Sequence, residues 1–441
     1  MSQSFLKTVV SHAPKLLTGS VIAGAASLIM TKYYTSVFST AEYGVLAIYL
    51  MMFKYVASLT SLNLDSSSTR FYFDYRESRR DEYLSTIFWL ISGISIFVFG
   101  IGLLLMIPIS ELISEGSGDI YFFTLIMGIS SVYVSFLTRV LYNEHKSNSV
   151  LKHSVFQTFV NHFSSYIFIF FLNLGVLGRV CGQGLGYILN VVSLVKEFSS
   201  KDLFRVKFVF NKSMAKETFM LALPSMISVL LGALFLYADR FFLKFYLGDS
   251  SVGIYSLGYM LGQSLSLVYE AISQAILPKV YNDLNQDYKK SINELESFSY
   301  RYNLFLIAIT SVISILSPVI VAVFSNESYS EASSVVPFVM AGFMMGGIYK
   351  IPSLVLGFHK VVWFYPILSV FSFGTNALLN WMLIPRYGVV GSAYASFVGL
   401  FLYSLVLHLM ALRYMSKKYV IYTTSMYLIL IALVSMAFIG A

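Results

Sequence analysis

The stretch LFLYADRFFLKFYLGDSSVGIYSLGY, residues 234–259, decides the fold because it places ionisable side chains inside apolar sequence. It reads as the end of one apolar helix, a short polar break and the start of another helix. Asp239, Arg240 and Lys244 nevertheless lie in the apolar part. A charge in the middle of a membrane helix costs about 2.5–3.5 kcal/mol unless it faces water or a partner. The stretch therefore predicts membrane helices around a hydrated interior.

The composition of the whole chain also indicates a bilayer as its solvent. Of its 441 residues, 57% are hydrophobic and only 12% are charged, and the mean hydropathy is +0.73. The single cysteine, Cys181, excludes an internal disulfide and offers no metal framework, so we expect no metal site. The net charge of +8 is expected to reflect the orientation in the membrane and contact with lipids, and not a nucleic-acid partner.

Apolar periodicity predicts an all-α protein with thirteen candidate membrane segments. The first continues too far to be a cleaved signal peptide, so we expect it to be retained. The segments lie at residues 15–38, 42–63, 84–107, 119–141, 149–172, 174–195, 217–244, 251–277, 302–324, 333–357, 361–384, 388–412 and 420–440.

The loops between these segments alternate in charge. One set is rich in Lys and Arg, such as the loop at residues 70–80 and the long one at 196–216, whereas the other set is mostly acidic. Positive loops favour the cytoplasmic side. The N-terminus is therefore predicted to be cytoplasmic, and the C-terminus lies outside if the thirteenth segment spans.

Two regions of the first half recur in the second half. Pro14 and Gly44 correspond to Pro224 and Gly253 at offsets of about 210, and LGVLG at 174–178 recurs as YGVVG at 387–391. A repeat of six helices predicts two pseudo-symmetric lobes related by an axis along the membrane normal. We expect an N-terminal lobe at 1–195, a basic cytoplasmic linker at 196–216, a C-terminal lobe at 217–412 and an extra helix at 413–441.

Several stretches resemble the polysaccharide and O-antigen flippases (Wzx type) of the multidrug/oligosaccharidyl-lipid/polysaccharide exporter superfamily. They are YADRFFLKFYLGDSSVGIYSLGYML at 237–261, AISQAILPKVYNDL at 271–284, TNALLNWMLIPRYGVVGSAYASF at 375–397, FSTAEYGVLAIYL at 38–50 and SSSTRFYFDY at 66–75. The resemblance covers most of residues 10–412, although the common pattern of that family has twelve helices.

The resemblance implies two six-helix lobes around a central cavity that opens alternately to each side of the bacterial inner membrane. It implies a lipid-linked oligosaccharide as substrate, usually carried on undecaprenyl diphosphate, for the synthesis of O-antigen or another surface polysaccharide. A polysaccharide polymerase and a chain-length regulator are the protein partners that such a pathway suggests.

Basic residues inside the apolar segments are the candidate substrate contacts. We expect five of them to form a cationic cavity, in which Arg can bind a phosphate in a bidentate way and Lys as a point charge. These five are Lys32, Lys54, Arg240, Lys244 and Lys350. Arg240 and Lys244 share a helix face, whereas Lys244 could also snorkel to the interface. Arg139 and Arg179, near helix ends, are expected at the membrane interface.

Few buried acids or bases are available to couple transport to an ion. Asp239, Glu270 and His162 are the candidates, and coupling to H⁺ or Na⁺ stays open. Asp239 is expected to face away from Arg240, toward Lys32 or Lys54, or to form with Arg240 a network that fixes the lobes. For His162, a hydrogen bond to a neighbouring helix is the simpler interpretation.

No catalytic residue is predicted, because the chain has no GxxxxGK[ST], HExxH or GxSxG motif. Two alternatives to a flippase stay open. A drug and cation exporter of the same superfamily would need an acidic cavity, and an integral-membrane polysaccharide polymerase would need larger loops than this chain has.

Overall fold

The computed structural model describes residues 24–75, 79–113, 117–201, 203–361, 363–416, 418–419, 422–423 and 427, and over these residues it contains helices and no strand. Its helices are α1 (residues 24–37), α2 (Thr40–Ser61), α3 (Leu64–Asp74), α4 (Arg80–Leu104), α5 (Met106–Ile113), α6 (Gly118–Asn143), α7 (Ser147–Phe170), α8 (Gly175–Ser200), α9 (Lys212–Tyr237), α10 (Asp239–Leu247), α11 (Asp249–Gln263), α12 (Leu265–Gln286), α13 (Tyr288–Ile315), α14 (Ser317–Phe324), α15 (Ala332–Ile348), α16 (Lys350–Phe358) and α17 (Tyr365–Ala411).

These helices confirm the first twelve predicted segments. Several segments consist of two helices in succession, such as α9 and α10, which meet at Ala238. Two segments are joined in α17, which bends at Gly388 where φ is 58° and ψ is −140°. The thirteenth segment, residues 420–440, lies almost entirely outside the described residues, and so does the start of the first.

Six stretches within the described ranges are long and apolar enough to cross a membrane by length and composition. They are Thr40–Tyr72, Arg80–Leu104, Gly118–Asn143, Tyr288–Ile315, Ala332–Phe358 and Tyr365–Tyr414. The last is 50 residues long, which is enough for the two passes that the bend at Gly388 separates.

Local sequence signals set where helices begin and end. Ser39 and Glu42 form a capping box at the start of α2, in which the Glu42 carboxylate accepts from the Ser39 N–H at 2.9 Å. The predicted break in the opening stretch is confirmed at Gly248, whose φ of 83° ends α10. A positive φ at this position favours glycine, which has no Cβ to clash with the backbone.

The ends of the helices form two faces. Tyr75 and Glu217 are joined there by a hydrogen bond of 3.1 Å, and Arg80 lies 3.3 Å from Glu144. We call this end the basic face, because Lys and Arg are frequent in the described residues that reach it, at 70–75, 79–80, 144–152, 196–201 and 203–216. The other end, where α2, α11 and α17 turn, is the opposite face.

The two halves meet at the opposite face through the glycines of the repeat. A Cβ on Gly44 would lie 1.9 Å from the Asp249 carbonyl oxygen, and a Cβ on Gly253 would lie 2.0 Å from the Thr40 carbonyl oxygen. The contact is symmetric, since Thr40 precedes Gly44 by four residues as Asp249 precedes Gly253. Helices α2 and α11 are therefore pseudo-symmetric partners that touch backbone to backbone.

The segment between the halves lies against α4 around Lys207. The Trp89 indole N–H donates to the Lys207 carbonyl oxygen at 2.8 Å, and the Lys207 N–H donates to the Ser85 hydroxyl at 2.9 Å. The Asn211 carboxamide then caps α9. The domain boundaries expected at residues 195 and 217 stay a prediction.

Candidate functional site

A polar cavity of about 640 Å³ lies inside the N-terminal half, toward the basic face. Its wall comes from α2, α3, α6, α7 and α8. The expectation was a cavity between the two lobes, whereas every residue lining this one belongs to the first half. The lining residues are Phe53, Lys54, Ala57, Ser58, Ser61, Asp65, Ser131, Val132, Val134, Ser135, Thr138, Arg139, Tyr142, Val150, Ser154, Gln157, Thr158, Asn161, Tyr187 and Asn190.

Lys54 and Arg139 supply the positive charge of this cavity. Lys54 is exposed, and it lines the cavity from α2, about 21 Å along the helix axis from Thr40. Its ammonium lies 4.9 Å from the centre of the Phe53 ring. Arg139 lines the cavity from α6, and its guanidinium is 3.5 Å from the Ser66 hydroxyl. Within the described part of the chain, neither cation forms an ion pair.

The rest of the wall is rich in hydroxyl and carboxamide groups. Asp65 is the one carboxylate among the residues that line the cavity, and it accepts a hydrogen bond from the Ser135 hydroxyl. Hydroxyls and amides can donate to oxygen ligands without adding charge. The cavity therefore combines two cations, one engaged carboxylate and many neutral donors.

The other predicted cavity cations lie elsewhere and have partners. Lys32 donates to the carbonyl oxygens of Ser325 at 2.5 Å and Ala322 at 3.1 Å, at the opposite face. Lys244 pairs with Asp249, also at that face. At both positions the ammonium group donates hydrogen bonds to carbonyl or carboxylate oxygens at the end of a helix.

Lys350 and Glu270, predicted for different roles, form one ion pair. Their side chains meet at 2.6 Å, and the Glu270 side chain is 45% exposed. The Lys350 ammonium also lies 5.8 Å from the ring centres of Tyr269 and Tyr349. The pair joins α12 to α16 in the C-terminal half, and neither residue lines the polar cavity described above.

The expectation that Asp239 faces away from Arg240 is wrong. The two side chains form an ion pair at 2.6 Å, and both are buried. The Arg240 guanidinium lies 4.2 Å from the centre of the Tyr259 ring, and Asp239 accepts from the Tyr255 hydroxyl. Neighbouring helix positions point about 100° apart, but the long Arg side chain turns back to reach its neighbour.

This ion pair belongs to a buried network in the C-terminal half. The Tyr255 hydroxyl is 3.2 Å from the Ser396 hydroxyl, which also lies 3.4 Å from the Asn376 amide nitrogen. The network thus links α10, α11 and both arms of α17. Of the two expectations for Asp239 and Arg240, the contacts match the network that fixes the helices of a lobe.

The simpler interpretation of His162 is confirmed. Its ring nitrogens lie 3.0 Å from the Tyr34 hydroxyl and 3.3 Å from the Ser27 hydroxyl, both on α1. Arg179, expected at the interface, is 8% exposed. It donates to the Ser165 hydroxyl at 3.2 Å and lies over the Tyr34 ring.

Sequence reasoning missed a second cluster, behind the cavity wall. His153 on α7 contacts Glu197 on α8 at 2.9 Å and Asn190 at 3.1 Å. Both ionisable side chains are buried, at 2% and 8% exposed. The i, i+7 spacing of Asn190 and Glu197 places them on one face of α8, but only the packing of α7 shows that His153 lies opposite. No group of three His, Cys, Asp or Glu in the described ranges could hold a metal ion.

The chain is similar to a known family and to solved transporter structures. A family model described as "Polysaccharide biosynthesis protein" matches residues 14–280. An inward-facing multidrug resistance MATE family transporter of the MOP superfamily is 13% identical, with a TM-score of 0.74 over 92% of this chain and 98% of that one. The lipid II flippase MurJ, in an inward closed conformation, is 17% identical, with a TM-score of 0.72 over 97% of this chain and 93% of that one.

A mutant of the Vibrio cholerae MATE transporter VcmN has a TM-score of 0.61 at 14% identity, over 93% of this chain and 97% of that one. No curated protein sequence matches the chain. The structural similarities show that the chain has the fold of these transporters.

Proposed function

The chain belongs to the polysaccharide biosynthesis protein family, and from that premise we propose that it is a flippase for a lipid-linked oligosaccharide. The substrate is carried on a phosphate-bearing lipid, undecaprenyl diphosphate, and crosses the bacterial inner membrane by alternating access. The product serves the synthesis of O-antigen or another surface polysaccharide. The fold shared with MATE transporters and MurJ supports transport over an enzymatic role.

The observation that carries the proposal is the pair of cations in the polar cavity. Arg240, Lys244 and Lys350 each pair with a carboxylate, whereas Lys54 and Arg139 both line the cavity and neither forms an ion pair among the described residues. Two cations in one cavity repel each other, and an anionic headgroup that enters the cavity would neutralise both.

The charge of the cavity disfavours the drug and cation exporter. An organic cation would meet Lys54 and Arg139, and the carboxylate of Asp65 already accepts a hydrogen bond from Ser135. A diphosphate instead satisfies both cations, and the hydroxyl and amide wall suits the sugars next to it. Of the site residues expected from the sequence, Lys54 keeps this role, and Arg139 joins it.

The orientation of the protein follows from the basic face, which we assign to the cytoplasm together with the N-terminus. The cavity then lies on the cytoplasmic side, while the contact of α2 with α11 closes the periplasmic side. This arrangement suits the loading of a substrate made on the cytoplasmic leaflet. A polymerase and a chain-length regulator would act on the translocated product.

The proposal is tested with the purified full-length chain in liposomes. A fluorescent undecaprenyl-diphosphate oligosaccharide is added, and an impermeant reductant bleaches only the outer leaflet. We expect the protein to move label between leaflets. A double variant, Lys54→Gln with Arg139→Gln, should slow this movement at least tenfold, because each charge-assisted hydrogen bond contributes about 1.5–3 kcal/mol.

Lys289→Gln is the matched control, since it removes a positive charge from an exposed position on α13 at the basic face. It should translocate like the unaltered protein. Transport of ethidium without movement of the lipid would instead identify a cation exporter. Full lipid movement by the double variant would remove the cavity from the pathway.

A further inference from the structure

The segment that connects the two halves presents exposed apolar side chains at the basic face. We call residues 203–211 the connecting segment, and they form neither helix nor strand. Within it, Phe208 is 94% exposed and Phe210 is 54% exposed. The basic residues Arg205 and Lys207 lie among these apolar residues and are also exposed. In a chain that crosses a bilayer, this combination is typical of a segment that lies in the membrane interface.

Side chains of α4 hold the connecting segment in place. The Lys207 carbonyl oxygen accepts from the Trp89 indole, as described above. Farther along the segment, the Asn211 N–H donates to the Thr86 hydroxyl at 3.1 Å, and the Asn211 carboxamide donates to Glu82 at 2.9 Å. Trp89 lies about 14 Å along the helix axis from the start of α4. The contacts with α4 therefore fix the segment at a defined depth.

The basic and the aromatic side chains of the connecting segment contact α4 at different depths. The Lys207 ammonium lies 3.2 Å from the Asp81 carboxylate, at the start of α4. The Phe208 ring instead stacks on the Trp89 ring, with 5.2 Å between the ring centres. Asp81 and Trp89 are about 12 Å apart along the helix axis. The cation is thus directed toward the membrane surface and the rings toward the hydrocarbon, which is how interfacial segments are arranged.

An apolar crevice of about 330 Å³ lies beside these rings, between α4 and the connecting segment. Its lining residues are Trp89, Leu90, Gly93, Ile94, Phe97 and Phe210. Gly93 leaves the crevice open, because a Cβ there would meet no atom within 4 Å. Trp89 and Phe97 lie about 12 Å apart along the helix axis. The crevice therefore offers an acyl chain a path along α4.

The charge beside the crevice is positive. The two carboxylates at the start of α4 each lie close to an arginine, Asp81 to Arg80 at 3.6 Å and Glu82 to Arg79 at 2.8 Å. The basic linker, residues 196–216, adds six basic residues and only two acidic ones. A basic cluster next to a membrane helix attracts the anionic lipids of the nearby leaflet. The surroundings of the crevice thus favour a lipid with a negative headgroup.

We propose that the crevice binds an anionic phospholipid, with one acyl chain over Gly93 and the phosphate beside Arg205 and Lys207. Arg binds phosphate oxygens in a bidentate way, and Lys binds them as a point charge. A phospholipid suits the site better than a protein partner, because the apolar rings lie toward the hydrocarbon and the cations toward the membrane surface. Assignment to the cytoplasmic leaflet rests on the orientation given above. The binding itself does not depend on what the protein transports.

Trp89 can report on the crevice directly, because the chain has only three tryptophans. Trp363→Phe and Trp381→Phe alter two exposed rings and leave Trp89 as the one source of tryptophan fluorescence. The full-length protein is placed in phosphatidylcholine vesicles that contain a fraction of lipid with brominated chains, which quench a nearby indole. We expect brominated phosphatidylglycerol to bind at Trp89 about fivefold better than brominated phosphatidylcholine, as one basic side chain near a membrane surface gives.

Two variants in this background locate the lipid. Arg205→Gln should reduce the preference for phosphatidylglycerol to almost none, because it removes a cation from the phosphate end. Gly93→Leu should have the same effect, because its side chain fills the crevice. Gly100→Leu is the matched control about two turns farther along α4, since a Cβ at Gly100 also meets no atom within 4 Å. It should keep the fivefold preference.

Equal quenching by the two brominated lipids in the parent protein would overturn the proposal, and so would an unchanged preference in both Arg205→Gln and Gly93→Leu. Absence of quenching by either lipid would overturn it as well, because protein would then cover Trp89. If a much smaller amount of undecaprenyl phosphate displaces brominated phosphatidylglycerol, the crevice binds the polyprenyl lipid and the phospholipid assignment is wrong. None of these outcomes depends on the liposome translocation assay, so the proposed function is tested separately.

Discussion

The backbone contact between Gly44 and Gly253 predicts that one added methyl group opens the protein at the opposite face. In Gly44→Ala the new Cβ would lie 1.9 Å from the Asp249 carbonyl oxygen and 3.0 Å from the Gly253 nitrogen. Both neighbours are backbone atoms, so no side chain can rotate away. Helix α11 must move from α2 for the alanine to be accommodated.

The size of the effect follows from that overlap. A carbon and a carbonyl oxygen approach to about 3.3 Å at their closest, so the helices must separate by about 1.4 Å at this point. Overpacking of this kind costs about 1–3 kcal/mol. With a cost of about 2 kcal/mol confined to the closed state, the ratio of closed to open molecules falls about thirtyfold.

Cysteine cross-linking measures this ratio across the same crossing. The hydroxyls of Thr40 and Ser250 are 2.6 Å apart, so cysteines at these two positions should form a disulfide readily while the face is closed. The native thiol is removed by Cys181→Ala, since Cys181 is the only cysteine in the chain. In membranes, Gly44→Ala should lower the rate of cross-linking by more than tenfold.

Gly100→Ala on α4 is the matched control, because a Cβ there meets no atom within 4 Å. It should cross-link like the parent protein. Rapid, complete cross-linking of Gly44→Ala would refute the idea that this glycine contact holds the opposite face closed.

Two further predictions concern stability, measured as thermal unfolding of the purified protein in detergent. Arg240→Met should lower the unfolding free energy by about 3–5 kcal/mol, because it leaves the buried Asp239 carboxylate without its cation. The double variant of Arg240→Met with Asp239→Asn should recover most of this loss. An unchanged melting temperature in Arg240→Met would contradict the network. Gly182→Ala should also lower the melting temperature, because its Cβ would lie 2.4 Å from the Ser165 backbone nitrogen on α7. Gly184→Ala should leave the melting temperature unchanged, because its Cβ would lie 3.7 Å from the nearest atom, on Met127. Equal effects of the two variants would argue against tight packing of α7 on α8.

Apolar periodicity was enough to locate the helices. It defined the twelve segments that the structure confirms, because a chain in a bilayer must satisfy its backbone hydrogen bonds within each span. The break at Gly248 was visible for the same reason. The repeat also identified Gly44 and Gly253 as equivalent, although not that they touch.

The sequence by itself determined the helices, the repeat and the excess of positive charge within the spans. Only the tertiary structure decided which charges have partners: Arg240 pairs with Asp239, Lys350 with Glu270, and Lys54 and Arg139 line one cavity. Helical periodicity defines the direction of a side chain on its own helix, but the partner comes from another helix, whose rotation and depth depend on how the whole bundle packs.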